Sequence, residues 1–186
     1  MIPRLFNTRH ITLDASPEDH RIAKLAAAAL GLTLLEAALP SPLPGVKPGL
    51  ANIVTLVVLA RFGWRAAAWV TLLRVVAGSL LLGTFLSPTF LLSLSGAVAS
   101  LALLALAQTL PTHWFGPVTH SILAAAAHFA GQFAVVYFWL IPHAGVINLV
   151  PIFAAAALLF GAVNGIAAAM LLTRLPLSPQ PTCATP

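Results

Sequence analysis

The sequence predicts an all-α integral membrane protein with six transmembrane helices in one bundle and both termini in the cytoplasm. Three observations carry that prediction. Of 186 residues, 60% are apolar and only 7% are charged, against about 25% charged in an ordinary soluble domain. A chain this poor in charge cannot cover its own surface in water. Its apolar residues fall into six segments cut by proline and glycine, and its basic residues gather at one set of segment ends. Nine Lys and Arg against four Asp and Glu leave a net charge of +5. These basic residues flank or punctuate apolar runs instead of clustering on polar surface, which argues against nucleic-acid binding.

Residues 1–20 read as a polar cytoplasmic segment, 21–174 as the six-helix transmembrane domain, and 175–186 as a disordered Pro-rich tail. No short apolar stretch near the start precedes a small-residue cleavage site, so no signal peptide is expected. Ser16-Pro17-Glu18-Asp19 begins the first helix. The Ser hydroxyl can accept a backbone N–H, Pro suits the first helical position, and both acids complement the positive helix end. The lone cysteine, Cys183, has no intrachain partner, so the redox compartment is not legible.

A membrane helix needs about 20 apolar residues to cross about 30 Å of hydrocarbon. Spans are expected at residues 22–39, 49–62, 64–83, 88–110, 116–140 and 148–173. Pro40, Pro42, Pro44 and Pro48 follow the first; Gly63 divides the second from the third. Ser87-Pro88, Pro111, and Pro142 to Gly145 mark the remaining boundaries. The second span is short, reaching only about 21 Å at 1.5 Å per residue. Either the Pro-Gly-Val-Lys-Pro-Gly stretch before it enters the membrane, or neighbouring helices shelter it, because unpaired backbone is tolerated at that depth only against protein or a wet cavity.

Orientation follows from the basic residues. With six spans, Arg4, Arg9, Arg21, Lys24, Arg61, Arg65 and Arg174 share a side with both termini, and only Lys47 lies opposite. The termini are therefore assigned to the cytoplasm and the protein to the cell inner membrane, with lipid as its surroundings.

That orientation sets the depth of each polar group. Glu36, Lys47, Asn52, His128, Gln132 and Asn148 fall in the outer half, and Arg74 forms a floor beneath them. His128 and Gln132, four residues apart, share a helix face. A charge at the bilayer centre costs about 2.5–3.5 kcal/mol on insertion scales, so Arg74 must face the interior, with Glu36 as its obvious partner. Two readings stay open. These residues line a solute pocket open to the outside, or Glu36–Arg74 is a structural pair and the amides are interhelical glue. His120 reads as a structural residue, and His113 and His143 as interface loop residues. No metal site is expected, because His120 and His128 lie about 12 Å apart along one helix axis. Small residues form a second pattern: Ala23, Ala27 and Gly31 on the first helix, and Ser93, Gly96 and Ser100 on the fourth. Such stripes let helices approach closely, whether a neighbour or a partner protein.

No G-x-x-x-x-G-K-[ST] phosphate loop, G-x-S-x-G elbow or acidic magnesium cluster is present. The chain is therefore not expected to be an enzyme or to carry a cofactor.

Leu35-Glu36-Ala37-Ala38-Leu39-Pro40, then Pro44-Gly45-Val46-Lys47-Pro48-Gly49-Leu50-Ala51-Asn52-Ile53-Val54-Thr55-Leu56, resembles the Gx transporter family, also called heptaprenyl diphosphate synthase component I. Leu73 to Ser79, Gly83 to Phe90, and His128-Phe129-Ala130-Gly131-Gln132 extend the resemblance, which runs from about residue 22 to 173. Pro48 and Phe129 depart from it, where the family more often has Leu and Asn. The resemblance implies a fold like the substrate-binding S-components of energy-coupling factor (ECF) transporters, which capture small molecules from outside. It also implies partners: a transmembrane coupling subunit, docked on small residues such as Ala23, Ala27 and Gly31, and two ATPases. Relatives also look like partners of flavin-transferase and extracellular electron-transfer systems. An accessory role in a redox or prenyl/quinone-related complex is the alternative.

Overall fold

The computed structural model describes residues 16–39, 49–109 and 116–174. The expected N-terminal segment, the Pro-rich tail, Lys47 and His113 lie outside those residues.

Helix α1 spans Pro17–Ala38 and starts as its sequence predicts. Ser16 Oγ accepts the Asp19 N–H at 3.1 Å, and the Ser16 N–H donates to Asp19 Oδ2 at 2.9 Å. This reciprocal capping satisfies donors that the first turn would otherwise leave unpaired. One face of α1 buries Ala26 and Ala29. Ala23, Ala27 and Gly31 lie on the exposed face, and a Cβ added at Gly31 would meet nothing.

Helix α2 spans Ala51–Leu81 but is broken at Gly63, where φ is 81° and ψ 179°. That conformation is essentially reserved for glycine. The break reverses the chain. Thr55 Oγ1 and Thr71 Oγ1 are 3.1 Å apart, whereas 16 residues of straight helix would separate them by about 24 Å. Residues 51–62 and 64–81 thus form an antiparallel hairpin, as the sequence division at Gly63 anticipates. Val58, Leu59, Ala66, Ala67 and Val70 from its two arms pack with Ala26, Ala29 and Leu104 as the main core. Trp64 Nε1 donates to Leu101 O at 3.0 Å, and Arg61 Nη2 to Leu172 O at 2.9 Å, which ties the bend to its neighbours.

Helix α3 spans Pro88–Ala107, capped by Ser87, and α4 spans Pro117–Val135, continued by a π-turn over Val136–Leu140. A 3-10 turn, Ala144–Leu149, leads into α5, Val150–Arg174. Glycines set the spacing of α3, α4 and α5. A Cβ at Gly131 would lie 2.6 Å from Ser95 O, and one at Gly165 would lie 2.7 Å from Val118 Cα. The backbones touch there, as small-residue membrane packing allows.

Among the described residues, four helices are long and apolar enough to cross a membrane: Ala51–Leu81, Pro88–Ala107, Pro117–Leu140 and Ala144–Arg174. The sequence expectation was six spans. The difference has two sources: the hairpin counts once by length, and Arg21, Lys24 and Glu36 interrupt α1. Large apolar side chains such as Trp69, Phe138, Trp139 and Leu159 are exposed on the outside, where water would be a poor solvent and lipid a good one. The chain is a multi-pass membrane protein.

Candidate functional site

Gly49, at φ 73°, turns the chain into the hairpin, and two distant helices clamp this junction. The Leu50 N–H donates to Glu36 Oε1 from α1, and Asn164 Nδ2 from α5 donates to Gly49 O at 3.2 Å. One turn on, Asn52 Oδ1 accepts Arg74 Nη2 at 3.2 Å across the hairpin. Asn52 therefore holds the guanidinium from the opposite arm. Glu36 and Arg74, expected to pair, direct their hydrogen bonds to Leu50 and Asn52 and not to each other.

These groups line a cavity of about 430 Å³ enclosed by all five helices. Its residues repeat at helical spacing: Arg74, Gly78 and Leu82 on the second arm of α2; Ala125, His128, Phe129 and Gln132 on α4; Phe153, Ala156, Ala157, Phe160, Gly161 and Asn164 on α5. Each helix contributes the part toward the Gly49 junction, away from Pro17 of α1 and Arg174 of α5. The volume falls in the range of small-molecule sites, roughly 300–1,000 Å³.

Arg74 is only 9% exposed, and its Nε is buried without a hydrogen-bond partner among the described residues. Glu36 is equally enclosed, at 7%. Gln132 Nε2 lies 3.1 Å from His128 Nε2; with the amide donating, that ring nitrogen is the unprotonated one. The imidazole rests on α3 at Gly96, where an added Cβ would lie 2.6 Å from His128 Nε2. The Gly96 of the small-residue pattern on α3 thus makes room for a site side chain. Opposite, Phe129 stacks on Phe153 with centroids 5.9 Å apart and planes 6° from parallel.

Of the residues expected to bind solute, Glu36, Asn52, Arg74, His128 and Gln132 meet in this cavity. Asn148 does not: it is exposed on the 3-10 turn, because α5 begins two residues later than the expected span. Lys47 lies outside the described residues. Sequence reasoning missed Asn164 as a site residue, together with Ser79, Thr84 and the aromatic wall of Phe90, Phe153 and Phe160. The spacing Phe153, Ala157, Phe160, Asn164 is one helix face and was the available signal. The hydroxyls had none, since Ser and Thr are tolerated anywhere in membrane helices. Among the described residues, no three His, Cys, Asp or Glu side chains group as a metal site would require.

Neither curated proteins nor solved structures give a match to this chain. A family model does, over residues 25–171, which covers part or all of each of the five helices and every described residue of the cavity. By that match the chain belongs to the heptaprenyl diphosphate synthase component I family.

Proposed function

We propose that this chain is the solute-binding membrane subunit of an energy-coupling factor type uptake transporter, similar to an S-component and not itself an enzyme. Its six helical segments cross the cytoplasmic membrane with both termini inside, counting the hairpin arms separately. The cavity then opens on the outer side and receives a small molecule from there. One observation carries this reading: a chamber gathers Glu36, Asn52, Arg74, His128 and Gln132 from three helices, α1, α2 and α4, with the buried Arg74 Nε lacking a partner among the described residues. A cation kept at that depth is expensive, and a donor left unpaired there costs more. A bound ligand that meets the exposed part of the guanidinium offsets the first of these costs.

The sequence holds no phosphate loop, so energy comes from separate ATPases through a transmembrane coupling subunit. The exposed face of Ala23, Ala27 and Gly31 on α1 supports docking of that subunit, because small residues let helices approach closely. The family description, a synthase component, favours a second reading: an accessory subunit of a prenyl/quinone-related or redox complex, without a solute pocket.

Purified full-length protein separates the two. The transporter reading expects a small molecule to be retained or bound, with affinity lost in Arg74→Ala and Asn52→Ala. Stable copurification with a synthase or electron-transfer enzyme, and no ligand in either preparation, would establish the accessory role instead.

A further inference from the structure

Phe62, Arg65, Trp69, Leu73, Val76 and Leu80 follow one another at three- and four-residue spacing, and all are exposed. They form one outward face of the second arm of α2, and Arg65 is the only charge on it. At 1.5 Å per residue, Trp69 to Leu80 covers about 16 Å, close to one leaflet's share of the ~30 Å hydrocarbon. Arg65 therefore stands where the apolar chains of that leaflet give way to headgroups, with Trp69 one turn deeper, as interfacial tryptophans sit.

Further bases gather at the same end of the bundle. Ile22 and Leu25 of α1 pack on the core cluster that holds Leu59, Ala66 and Trp64, which sets Arg21 and Lys24 beside the Gly63 bend. Arg61 Nη2 donates to Leu172 O, which brings the last turn of α5, with Arg174, to the same level. The side chains of Arg21, Lys24, Arg65 and Arg174 are exposed, and none of the four pairs with a described residue. Of the two acids nearby, Glu18 and Asp19, the second is engaged in the Ser16 cap. Exposed cations above an apolar strip match an amphiphile with a negative head.

We propose that this end of the bundle binds an anionic phospholipid. Its phosphate rests on Arg65, with charge added by Arg21 and Lys24, and its acyl chains lie along Trp69, Leu73, Val76 and Leu80. Guanidinium suits a phosphate because its planar fork can donate two parallel hydrogen bonds. A zwitterionic lipid fits less well, since its own ammonium is repelled by these bases. The site is independent of the cavity: it lies at the Gly63 end of the hairpin, and the cavity at the Gly49 end.

The test uses the full chain in vesicles of phosphatidylcholine mixed with phosphatidylglycerol, each lipid brominated in turn on its acyl chains. Quenching of tryptophan fluorescence then reports which lipid lies against Trp69. The chain has four tryptophans, so the signal lost in Trp69→Phe isolates the contribution of that ring. Phosphatidylglycerol is expected to be preferred about fivefold or more, the scale of one base near an anionic surface. Arg65→Gln should remove about fivefold of that preference, and Arg21→Gln with Lys24→Gln should reduce it further. Arg65→Lys should keep most of it, because charge carries the selectivity. Thermal melting verifies that these surface variants fold. Equal quenching by the two lipids, or a preference that survives Arg65→Gln, would overturn the proposal. Soluble glycerol phosphate should not displace the lipid, since it lacks acyl chains; displacement would identify a free-anion site and overturn the lipid assignment. If Arg65→Gln instead costs a copurifying acidic protein and leaves the lipid preference intact, the patch is a protein-docking face and the proposal fails.

Discussion

Thr55 and Thr71 join the two arms of the α2 hairpin through their hydroxyls, 3.1 Å apart and fully enclosed. With Arg74 on Asn52, this contact fixes the register of one arm against the other. Both hydrogen bonds lie far from the bend at Gly63, so register is set by side chains and not by the turn alone.

Thr55→Val and Thr71→Val should each destabilise the protein, because each leaves a hydroxyl unpaired in an apolar interior. The double variant should recover part of the loss. A double-mutant cycle by denaturation in mixed micelles should give a coupling near 0.6 kcal/mol, the average for such bonds in membranes. A coupling of zero would mean that the hydroxyls do not meet.

Gly63→Ala should lower stability by about 1–3 kcal/mol through backbone strain alone. The added Cβ meets no atom within 4 Å, so steric overlap contributes nothing. Gly31→Ala offers the control, since Gly31 sits in open helix and alanine there should raise stability by up to about 1 kcal/mol. Thermal melts of the two variants should move in opposite directions.

Gly96→Ala and Gly165→Ala should fail in different ways. At Gly96 the Cβ displaces the His128 ring, which sits 2.6 Å away, and so disturbs the bond to Gln132. Ligand affinity should fall about tenfold, as for one lost hydrogen bond, with little change in melting. At Gly165 the obstacle is backbone, Val118 Cα at 2.7 Å, so α4 and α5 must part. Melting should then fall, by about 1–3 kcal/mol on the scale of overpacked cores.

The start of α1 should respond to acid. Hydrogen bonds from the Ser16 backbone and side chain hold the Asp19 carboxyl below its ordinary value of 3.8. A lowered acid stabilises the fold above its unfolded value and withdraws that support as pH drops through the folded value. Amide exchange in the first turn of α1 should therefore accelerate only below about pH 4, and Asp19→Asn should remove the pH dependence.

Much of this was legible because polar groups are so scarce. In apolar spans Asn52, Arg74, His128 and Gln132 stand out, and the cost of immersing them points inward. Gly63 and the Ser16 cap were legible as punctuation. The partner of Glu36 was not, because a free backbone N–H at a helix start competes for the acid, and sequence does not display it. Asn148 was misplaced because a 3-10 turn and a helix start look alike in an apolar stretch. The aromatic wall was hidden for a related reason: α5 is apolar all round, so its cavity-facing Phe153 and Phe160 resemble its lipid-facing Leu158 and Leu159. Only coordinates distinguish those faces.

The brevity of residues 51–62 also shapes the field around the protein. At about 18 Å, that arm ends some 12 Å short of a bilayer's ~30 Å apolar thickness. On the outward-open reading proposed above, the Arg74 guanidinium bonded to Asn52 would then lie below the dielectric boundary, where poorly polarisable walls focus the field of the charges lining the cavity toward its opening. On that same reading, capture of a charged solute should change with added salt, while the grip on an already seated molecule, screened from ions, should change far less.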